Sequence, residues 1–479
     1  MMRSSGAVCV ACVIACFALA KGQRLTEKPI DLLPAAASGL QGVQEPRHIS
    51  GYFQLNRTHD AHMFYFFFES RSLKPDAPVV LWMTGGPGCS SELAVFYENG
   101  PYHINPDLSL ERSEYGWDTN SNMIFVDQPI NTGFSYSDDP RDRVFNEHTV
   151  AEDMLDFLQA FLEVHPDMAD RDFYVTGESY AGHYVPAVSN RLFLEMNKPD
   201  VEKKINLKGF AIGNGLTDPG IQYGAYSDFA LINNLISPAA AKWIKATFPL
   251  CRIGIQLCNS WDVSLVCQLS LQYCQTTQFA PIMAVNPTMN VYDIRKECEG
   301  PLCYDFSLLE KYINQDSVRQ KLGVGDRKWE ECSTSVYFDM LGDWMKNFDP
   351  PIPAMLQAGV RVMIYAGAED FICNWVGNQR WVDSLPWYGK GQWAATTEQD
   401  WMVDGESAGT AKAVGPLSFV KVDAAGHMVP MDVPRHALDM ITNFTRNQSL
   451  VETNDVAIRT TLNVAAKSLG RKYGTAAES

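Results

Sequence analysis

Several things are scarce in this chain, and each scarcity narrows what it does. Charged residues fill only 20% of the 479 positions, and 39 Lys and Arg face 56 Asp and Glu, a net charge of −17. No basic block interrupts that balance, which excludes a phosphate-backbone partner, because nucleic-acid binding needs clustered Lys and Arg. Beyond residue 20 no stretch reaches the ~18 uncharged apolar residues that a membrane-spanning helix needs. Beyond residue 20 the cysteines include no CxxC pair, and their main cluster has no histidine nearby, so a zinc site lacks its ligands. Low-complexity tracts and internal repeats are missing, and disordered or fibrous structure is excluded with them.

What is present is apolar: 46% of the residues are hydrophobic, enough for a large buried core. At roughly 150 residues per domain the length suggests two or three domains, although α/β enzymes with insertions often fold as one body of this size. Residues 1–20 read as a secretory signal peptide. Arg3 gives a positive start, Ala7 to Ala20 is apolar apart from cysteines, and Ala18-Leu-Ala20 is a small-x-small cleavage site. The alternative, a retained anchor, needs a longer apolar run. Removing the signal takes Cys9, Cys12 and Cys16 with it and leaves nine cysteines, six of them between Cys251 and Cys303. Nine is odd, so an oxidised monomer keeps an unpaired thiol. Asn56, Asn443 and Asn447 each begin an N-glycosylation triplet. The acidic balance suits an enzyme of an acidic or extracellular space, reached by the secretory route: a vacuole- or lysosome-like compartment, or the cell exterior.

Residues 21–46 carry Pro, Ala, Gly and mixed charge without periodicity, which predicts a propeptide or an exposed arm. The catalytic body is expected over 47–450 and a tail over 451–479. Met63 to Phe68, Pro78 to Thr84, Met123 to Asp127, Phe173 to Thr176, Lys208 to Ile212, Arg361 to Ala366 and Leu417 to Val422 are aromatic or β-branched runs that predict buried strands. Val150 to Val164 has a helical period. Strands alternating with helices mean a mainly parallel sheet wrapped by helices. Between about 216 and 351 that rhythm breaks. The cysteine cluster lies there with helical stretches at Ala239 to Thr247 and Phe306 to Leu322, an insertion over one end of the sheet.

Phe173-Tyr-Val-Thr-Gly-Glu-Ser179-Tyr-Ala-Gly runs from a strand into a small-residue turn with serine at its apex, the setting of a nucleophile elbow. A tight turn exposes Oγ and aims the next N–H, that of Tyr180, at the developing oxyanion. Ala181 stands where the second glycine of G-x-S-x-G is usual, and Gly182 follows. The elbow predicts the chain order serine, acid, histidine, each partner just past a strand. Asp370 follows Val362 to Ala368, and His427 follows Phe419 to Gly426. Of the other histidines, most precede the serine or lack that context, and His183 is too near Ser179 along one helix to face it. Gly85-Gly-Pro-Gly88 lacks the Lys-Ser/Thr ending of a phosphate loop.

Taken together, these motifs resemble the serine carboxypeptidases of the carboxypeptidase Y type, which have the α/β-hydrolase fold. The resemblance covers about Arg47 to Asn447. It rests on Leu81-Trp-Met-Thr-Gly-Gly-Pro-Gly-Cys-Ser-Ser91, Glu98-Asn-Gly-Pro101, Asp127-Gln-Pro129, Gly133-Phe-Ser-Tyr136, Gly177-Glu-Ser-Tyr-Ala-Gly-His-Tyr184, Ala366-Gly-Ala-Glu-Asp-Phe-Ile-Cys-Asn374 and Gly426-His-Met-Val-Pro430. It implies an α/β fold with a mainly parallel central sheet flanked by helices, and a cysteine-rich, largely helical insertion over the active site. Ser179 is then the nucleophile, His427 the base and Asp370 its orienting carboxylate, with oxyanion N–H groups from Gly86 and Tyr180. Thr84, Gly85, Glu98 and Glu178 would hold the substrate's C-terminal carboxylate. Two close carboxyls cannot both ionise cheaply, so at acid pH they keep protons and donate hydrogen bonds. Thr84 stands where the family usually has Asn, a shorter donor. Tyr97 and Met428 would line the leaving-residue side, and Trp344, Ile372 and Cys373 the acyl side.

The same resemblance pairs Cys89 with Cys332 and Cys298 with Cys303. Three connectivities remain for the other four cysteines of the cluster. Their symmetric spacing favours a nested hairpin, Cys251 with Cys274 and Cys258 with Cys267, which leaves Cys373 as the odd thiol. The resulting expectation is a serine-type carboxypeptidase with an acidic pH preference, acting on peptides with a free C-terminus, without metal or cofactor. An acyltransferase of the same family uses the same acyl-enzyme but excludes water, and a non-catalytic relative would only bind or protect a partner. Both remain as alternatives. The paired carboxyls favour the peptidase, since a transferase has no C-terminus to hold. Oligomeric state is not legible.

Overall fold

The computed structural model describes residues 25–33, 46–198, 205–300 and 302–451. The expected signal peptide at 1–20 lies outside these residues, as does all but Val451 of the expected tail. Eleven strands form one sheet: β1 (Leu25–Pro29), β2 (His48–Gln54), β3 (His62–Phe68), β4 (Val79–Met83), β7 (Asn122–Val126), β8 (Phe173–Glu178), β9 (Leu207–Gly213), β10 (Arg361–Gly367), β11 (Gln399–Val403), β12 (Glu406–Val414) and β13 (Leu417–Val422). A separate hairpin pairs β5 (Tyr102–Ile104) with β6 (Leu110–Arg112). The spatial order is β1-β2-β3-β7-β4-β8-β9-β10-β13-β12-β11. The six strands from β7 to β13 run parallel, and antiparallel ribbons extend both edges.

The central strands are uninterrupted apolar runs because both sheet faces are covered. In β3, Met63, Tyr65 and Phe67 enter one core while Phe64, Phe66 and Phe68 enter the other. β4 splits in the same way, with Leu81 on one side and Trp82 on the other. The period of two that places alternate side chains on opposite faces thus feeds two hydrophobic layers at once.

The helices used below are α1 (Glu92–Tyr97), α2 (Glu147–Val164), α3 (Ala181–Met196), α4 (Pro238–Trp261), α5 (Ser264–Cys274), α6 (Trp375–Ser384) and α7 (Pro434–Thr445). α2 starts where the Asn146 side chain accepts the Thr149 N–H, and it buries Met154, Leu158 and Phe161. α4 and α5 lie in the insertion between β9 and β10. The disulfides Cys251–Cys274 and Cys258–Cys267 join them, and all four sulfurs sit in a third core with Phe371 and Cys373. Cys89–Cys332 and Cys298–Cys303 are the other two pairs, and Cys373 is free and buried.

One expectation needs correction. Residues 21–46 are not an exposed arm over their described part. β1 pairs with β2 along its whole length, and Ile30, Leu32 and Leu33 are buried beyond it. The Glu27 carboxylate holds the Tyr65 hydroxyl and lies 2.7 Å from His165 Nε2, so a charged residue serves the strand rather than marking a loop. The insertion also reaches beyond the end of the sheet. Its stretch from Leu309 to Trp329 packs in the same core layer as β4 and α1, where Trp329 Nε1 donates to Ser90 Oγ at 2.8 Å.

Of the three glycosylation triplets, Asn56 and Asn447 are exposed. Asn443 is half-buried inside α7, and its side-chain amide donates to the Asp439 carbonyl at 2.9 Å.

Candidate active site

Parallel strands present their C-terminal ends to one side, and ligands of such sheets bind there. Ser179 follows β8, Asp370 follows β10 and His427 follows β13, all on that side. Ser179 has φ +65°, the left-handed region where a residue with a side chain is strained, as an elbow serine is. The neighbours explain the turn's small residues. A Cβ on Gly177 would lie 2.4 Å from the Met83 carbonyl oxygen and 2.7 Å from Ala181 Cβ. One on Gly182 would lie 2.4 Å from the Leu216 carbonyl oxygen. The second tight approach therefore falls at 182, and Ala suffices at 181.

His427 Nδ1 is 2.8 Å from Asp370 Oδ2, with the carboxyl fully buried and the imidazole nearly so. Asp370 is held from two further sides: Asn214 Nδ2 donates to Oδ2 at 2.8 Å and the Ile372 N–H donates to Oδ1 at 3.0 Å. Asn214 in turn accepts the Gly367 N–H through Oδ1 at 3.2 Å, so it bridges the ends of β9 and β10. The His427 N–H donates to the Tyr292 carbonyl at 2.7 Å, and the two rings lie 5.0 Å apart. His427 Nε2 is buried and has no partner among the described residues, which leaves that nitrogen open to accept a proton.

The loop after β4 lies against the elbow. A Cβ on Gly85 would be 2.4 Å from the Tyr180 nitrogen and 2.8 Å from Ser179 Cβ, a closeness only glycine permits. Gly86, at φ +114°, and Tyr180 thus belong to two backbone segments that meet at the serine. Thr84 is buried and accepts the Trp82 indole N–H at 3.0 Å, so its one hydroxyl proton remains to donate.

Glu178 ends β8 and Glu98 follows α1, and their carboxyls meet within hydrogen-bonding contact. Both are fully buried, and if both were ionised neither Glu98 oxygen nor Glu178 Oε2 would have a donor. Burial first, and then mutual repulsion in Glu178, pushes both carboxyls above their ordinary range, with Asp432 adding to the repulsion. A proton shared between them supplies the missing donor. Tyr365 sits beside the pair. Its hydroxyl has no partner among the described residues and is held well above its usual pKa, by burial and then by these two glutamates. A second buried carboxyl pair, Glu92 and Asp127, fastens the loop after β4: Asp127 accepts the N–H groups of Ser91 at 3.1 Å and Phe134 at 2.7 Å.

The expected pocket residues fall into two groups. Trp344 lies 5.3 Å from the Tyr180 ring, and its indole donates to the Tyr223 hydroxyl at 3.2 Å. Ile372 and Cys373 follow Asp370, and the Ile372 carbonyl accepts the Tyr226 hydroxyl at 2.8 Å. Trp344, Ile372 and Cys373 therefore share one core with Tyr223 and Tyr226. Met428 follows His427, and with Tyr97, whose ring is 4.9 Å from Phe306, it belongs to the core layer on the α1 side.

The sequence pattern of the serine carboxypeptidase family matches residues 39–447. The chain belongs to that family and is a hydrolase. It is 54% identical over 408 residues to serine carboxypeptidase 3 of Hordeum vulgare, covering 85% of this chain and 80% of that protein. It is 37% identical over 406 residues to carboxypeptidase Y of Komagataella phaffii, covering 83% and 76%. Among solved structures it is similar to Kex1, a prohormone-processing carboxypeptidase from Saccharomyces cerevisiae. The TM-score is 0.79 at 26% identity, over 89% of this chain and 97% of that one. Among the described residues no helix is long and apolar enough to cross a membrane, and no cluster of His, Cys, Asp and Glu could hold a metal ion.

Sequence reasoning missed Asn214, Tyr292 and Tyr365. Asn214 had one readable signal, a polar residue between Gly213 and Gly215 at the end of a buried strand, on the side where the three other strand ends carried candidates. Tyr292 contributes a carbonyl, and no residue type encodes that.

Proposed function

We propose that the protein releases single amino acids from the C-terminus of peptides through an acyl-enzyme on Ser179, and that it works best in acid. Ser179 Oγ attacks the last peptide carbonyl while His427 Nε2 takes the hydroxyl proton. Asp370 keeps Nδ1 protonated and the ring in place. The N–H groups of Gly86 and Tyr180 receive the oxyanion. The proton on Nε2 then passes to the leaving amine, the C–N bond breaks, and the C-terminal residue departs. Water, deprotonated by the same nitrogen, attacks the acyl-enzyme and frees Oγ.

The observation that carries the carboxypeptidase reading is the buried contact of Glu98 with Glu178, the residue just before the nucleophile. A peptide's terminal carboxylate needs donors. A protonated carboxyl pair provides them, together with the Thr84 hydroxyl and the Gly85 N–H, without leaving an uncompensated cation when the site is empty. An endopeptidase or an acyltransferase has no carboxylate to place there. Ionising the pair removes the donors and adds repulsion, so affinity for a free C-terminus falls as pH rises. The same dependence fits an acidic compartment of the secretory route, reached through the signal at 1–20, with Asn56 and Asn447 as the accessible glycan acceptors. The test is to incubate the enzyme with a blocked dipeptide and with its C-terminal amide at pH 5 and to identify the products by mass spectrometry. The free acid should lose its last residue at a rate at least tenfold above the amide, and Ser179→Ala should abolish both reactions. Equal rates on the two substrates would refute the carboxylate site, and retained activity in Ser179→Ala would refute the nucleophile.

A further inference from the structure

Strand register sets Glu178 of β8 beside Gly213 of β9, and Gly213 beside Tyr365 of β10. Paired positions of parallel strands leave the same sheet face, here the one that also carries Tyr174, Ala211 and Met363. The next residues along two of these strands belong to the catalytic machinery: Ser179 follows Glu178, and Asn214, which holds Asp370, follows Gly213. The glycine at the centre of the row decides what its neighbours do. A Cβ on Gly213 would lie 2.3 Å from Tyr365 Cζ and 2.4 Å from both its Cε2 and its hydroxyl oxygen. The phenol therefore lies across β9, in the space that a side chain at 213 would fill, and carries its hydroxyl toward Glu178. Without that lean two strand spacings, roughly 10 Å, would separate the two side chains.

Tyr365 is fully buried, and neither its hydroxyl nor Glu178 Oε2 has a partner among the described residues. Leaving such atoms unpaired in the interior is costly, so a donor and an acceptor orphaned on either side of one glycine point to a bond made in another protonation state. Burial and the two glutamates keep the phenol protonated, and the hydroxyl can donate throughout the working range. The other charged groups that act on the pair are acids. Asp432 opposes the ionisation of both glutamates and Asp370 that of Glu178, while Lys296, 2.9 Å from Asp432, offsets part of the former.

We propose that Tyr365 is a positioning residue for C-terminal recognition: when the Glu98–Glu178 pair loses its proton, the Tyr365 hydroxyl donates to Glu178 and sets the pH at which the pair ceases to be a donor. This rests on the reading of the pair given above. A donor to the ionised form favours ionisation, against the burial and the neighbouring acids that oppose it. Tyr365 thus confines affinity for a free C-terminus to acid, where the pair alone would hold its proton further into neutral pH. It acts from within the sheet face and touches no substrate.

Tyr365→Phe tests this, since it removes one oxygen and keeps the ring that fills the space over Gly213. KM for a blocked dipeptide acid, and kcat and KM for its amide, would be measured from pH 5 to 8.5 in the parent and the variant. Loss of a hydrogen bond to a charged group should move the rise in KM for the acid upward by about one pH unit. Near pH 7.5 the variant's KM for the acid should then be roughly three- to tenfold below the parent's, with KM at pH 5 and both amide constants within about twofold. Coincident acid profiles in parent and variant, or a rise displaced to lower pH, would overturn the proposal. So would a large fall in kcat on the amide, which would place Tyr365 behind the Asn214–Asp370 contact instead. If the parent's own acid and amide profiles run parallel, the carboxylate reading itself fails and this inference falls with it.

Discussion

Alkaline pH should destabilise this protein, most steeply between pH 6.5 and 8. Burial raises Glu147, the Glu98–Glu178 pair and the Glu92–Asp127 pair above the ordinary carboxylate range. In the unfolded chain these groups ionise near pH 4 to 4.5, as exposed carboxyls do. At pH 7 the folded state thus holds protons that the unfolded state has released. Stability from such groups is complete below the unfolded pKa and is lost as pH climbs toward the folded values. Each retained proton costs about 1.4 kcal/mol per pH unit, so Glu98, raised to about 8, costs ~2 kcal/mol over the span from 6.5 to 8, and the other raised carboxyls act in the same direction. Asp153 and Asp349, raised by burial to about 7, steepen the slope up to neutrality. Below pH 6.5 the buried histidines oppose the trend. His48 and His183 are buried with pKa lowered to about 4, so acid favours the unfolded state at those two sites. Histidines cease to matter here once the unfolded imidazoles are neutral. At roughly 2 °C per kcal/mol the midpoint should fall by ~4 °C or more between pH 6.5 and 8. Thermal unfolding at a fixed scan rate across that range measures it. Glu147→Gln keeps the shape of the protonated acid and should reduce the slope by about one proton. A flat or rising midpoint from 6.5 to 8, or an unchanged slope in Glu147→Gln, would refute the reasoning.

Three substitutions probe the site more locally. Asn214→Ala removes a charge-assisted hydrogen bond to Asp370, worth ~1.5–3 kcal/mol, so kcat should fall roughly 10- to 100-fold with KM little changed. A change in KM alone would show that Asn214 does not act through the Asp370–His427 pair. Gly182→Ala drives a methyl into the Leu216 backbone and should lower both the unfolding midpoint and kcat, whereas Ala181→Gly should be nearly silent. Cys373 is the free thiol, and burial, then Asp370 and Glu178, holds it above its ordinary pKa. A mercurial should inhibit slowly by crowding the pocket with Trp344 and Tyr223, and Cys373→Ser should keep activity and lose that sensitivity. Label recovered on any other cysteine by mass spectrometry would contradict this.

The core of the fold was legible because its strands are buried on both faces. Runs such as Met63–Phe68 and Leu417–Val422 have no polar phase to confuse, and each candidate of the triad follows such a run. The edges were not legible. β1 reads Leu-Thr-Glu-Lys-Pro, and its strand character comes from pairing with β2 and from Glu27 reaching Tyr65 and His165. β11 and β12 carry Gln, Asp, Glu, Lys and Gly, and only the existing edge of β13 makes a ribbon of them. The elbow's mismatch at Ala181 could not be resolved by motif. It needed the Leu216 backbone, brought to Gly182 from 34 residues downstream. The Glu98–Glu178 contact joins positions 80 residues apart, and only resemblance to a family, not spacing, pointed to it.

The claim that protonated carboxyls read the substrate's C-terminus meets its most direct test in paired pH profiles. KM for a blocked dipeptide acid and for its amide would be measured from pH 5 to 8, in the parent enzyme and in Glu178→Gln. The account predicts a KM for the acid that rises with pH in the parent while that for the amide stays level. In Glu178→Gln the rise should flatten, because an amide donates at every pH. Parallel profiles for acid and amide, or an undiminished rise in Glu178→Gln, would contradict it.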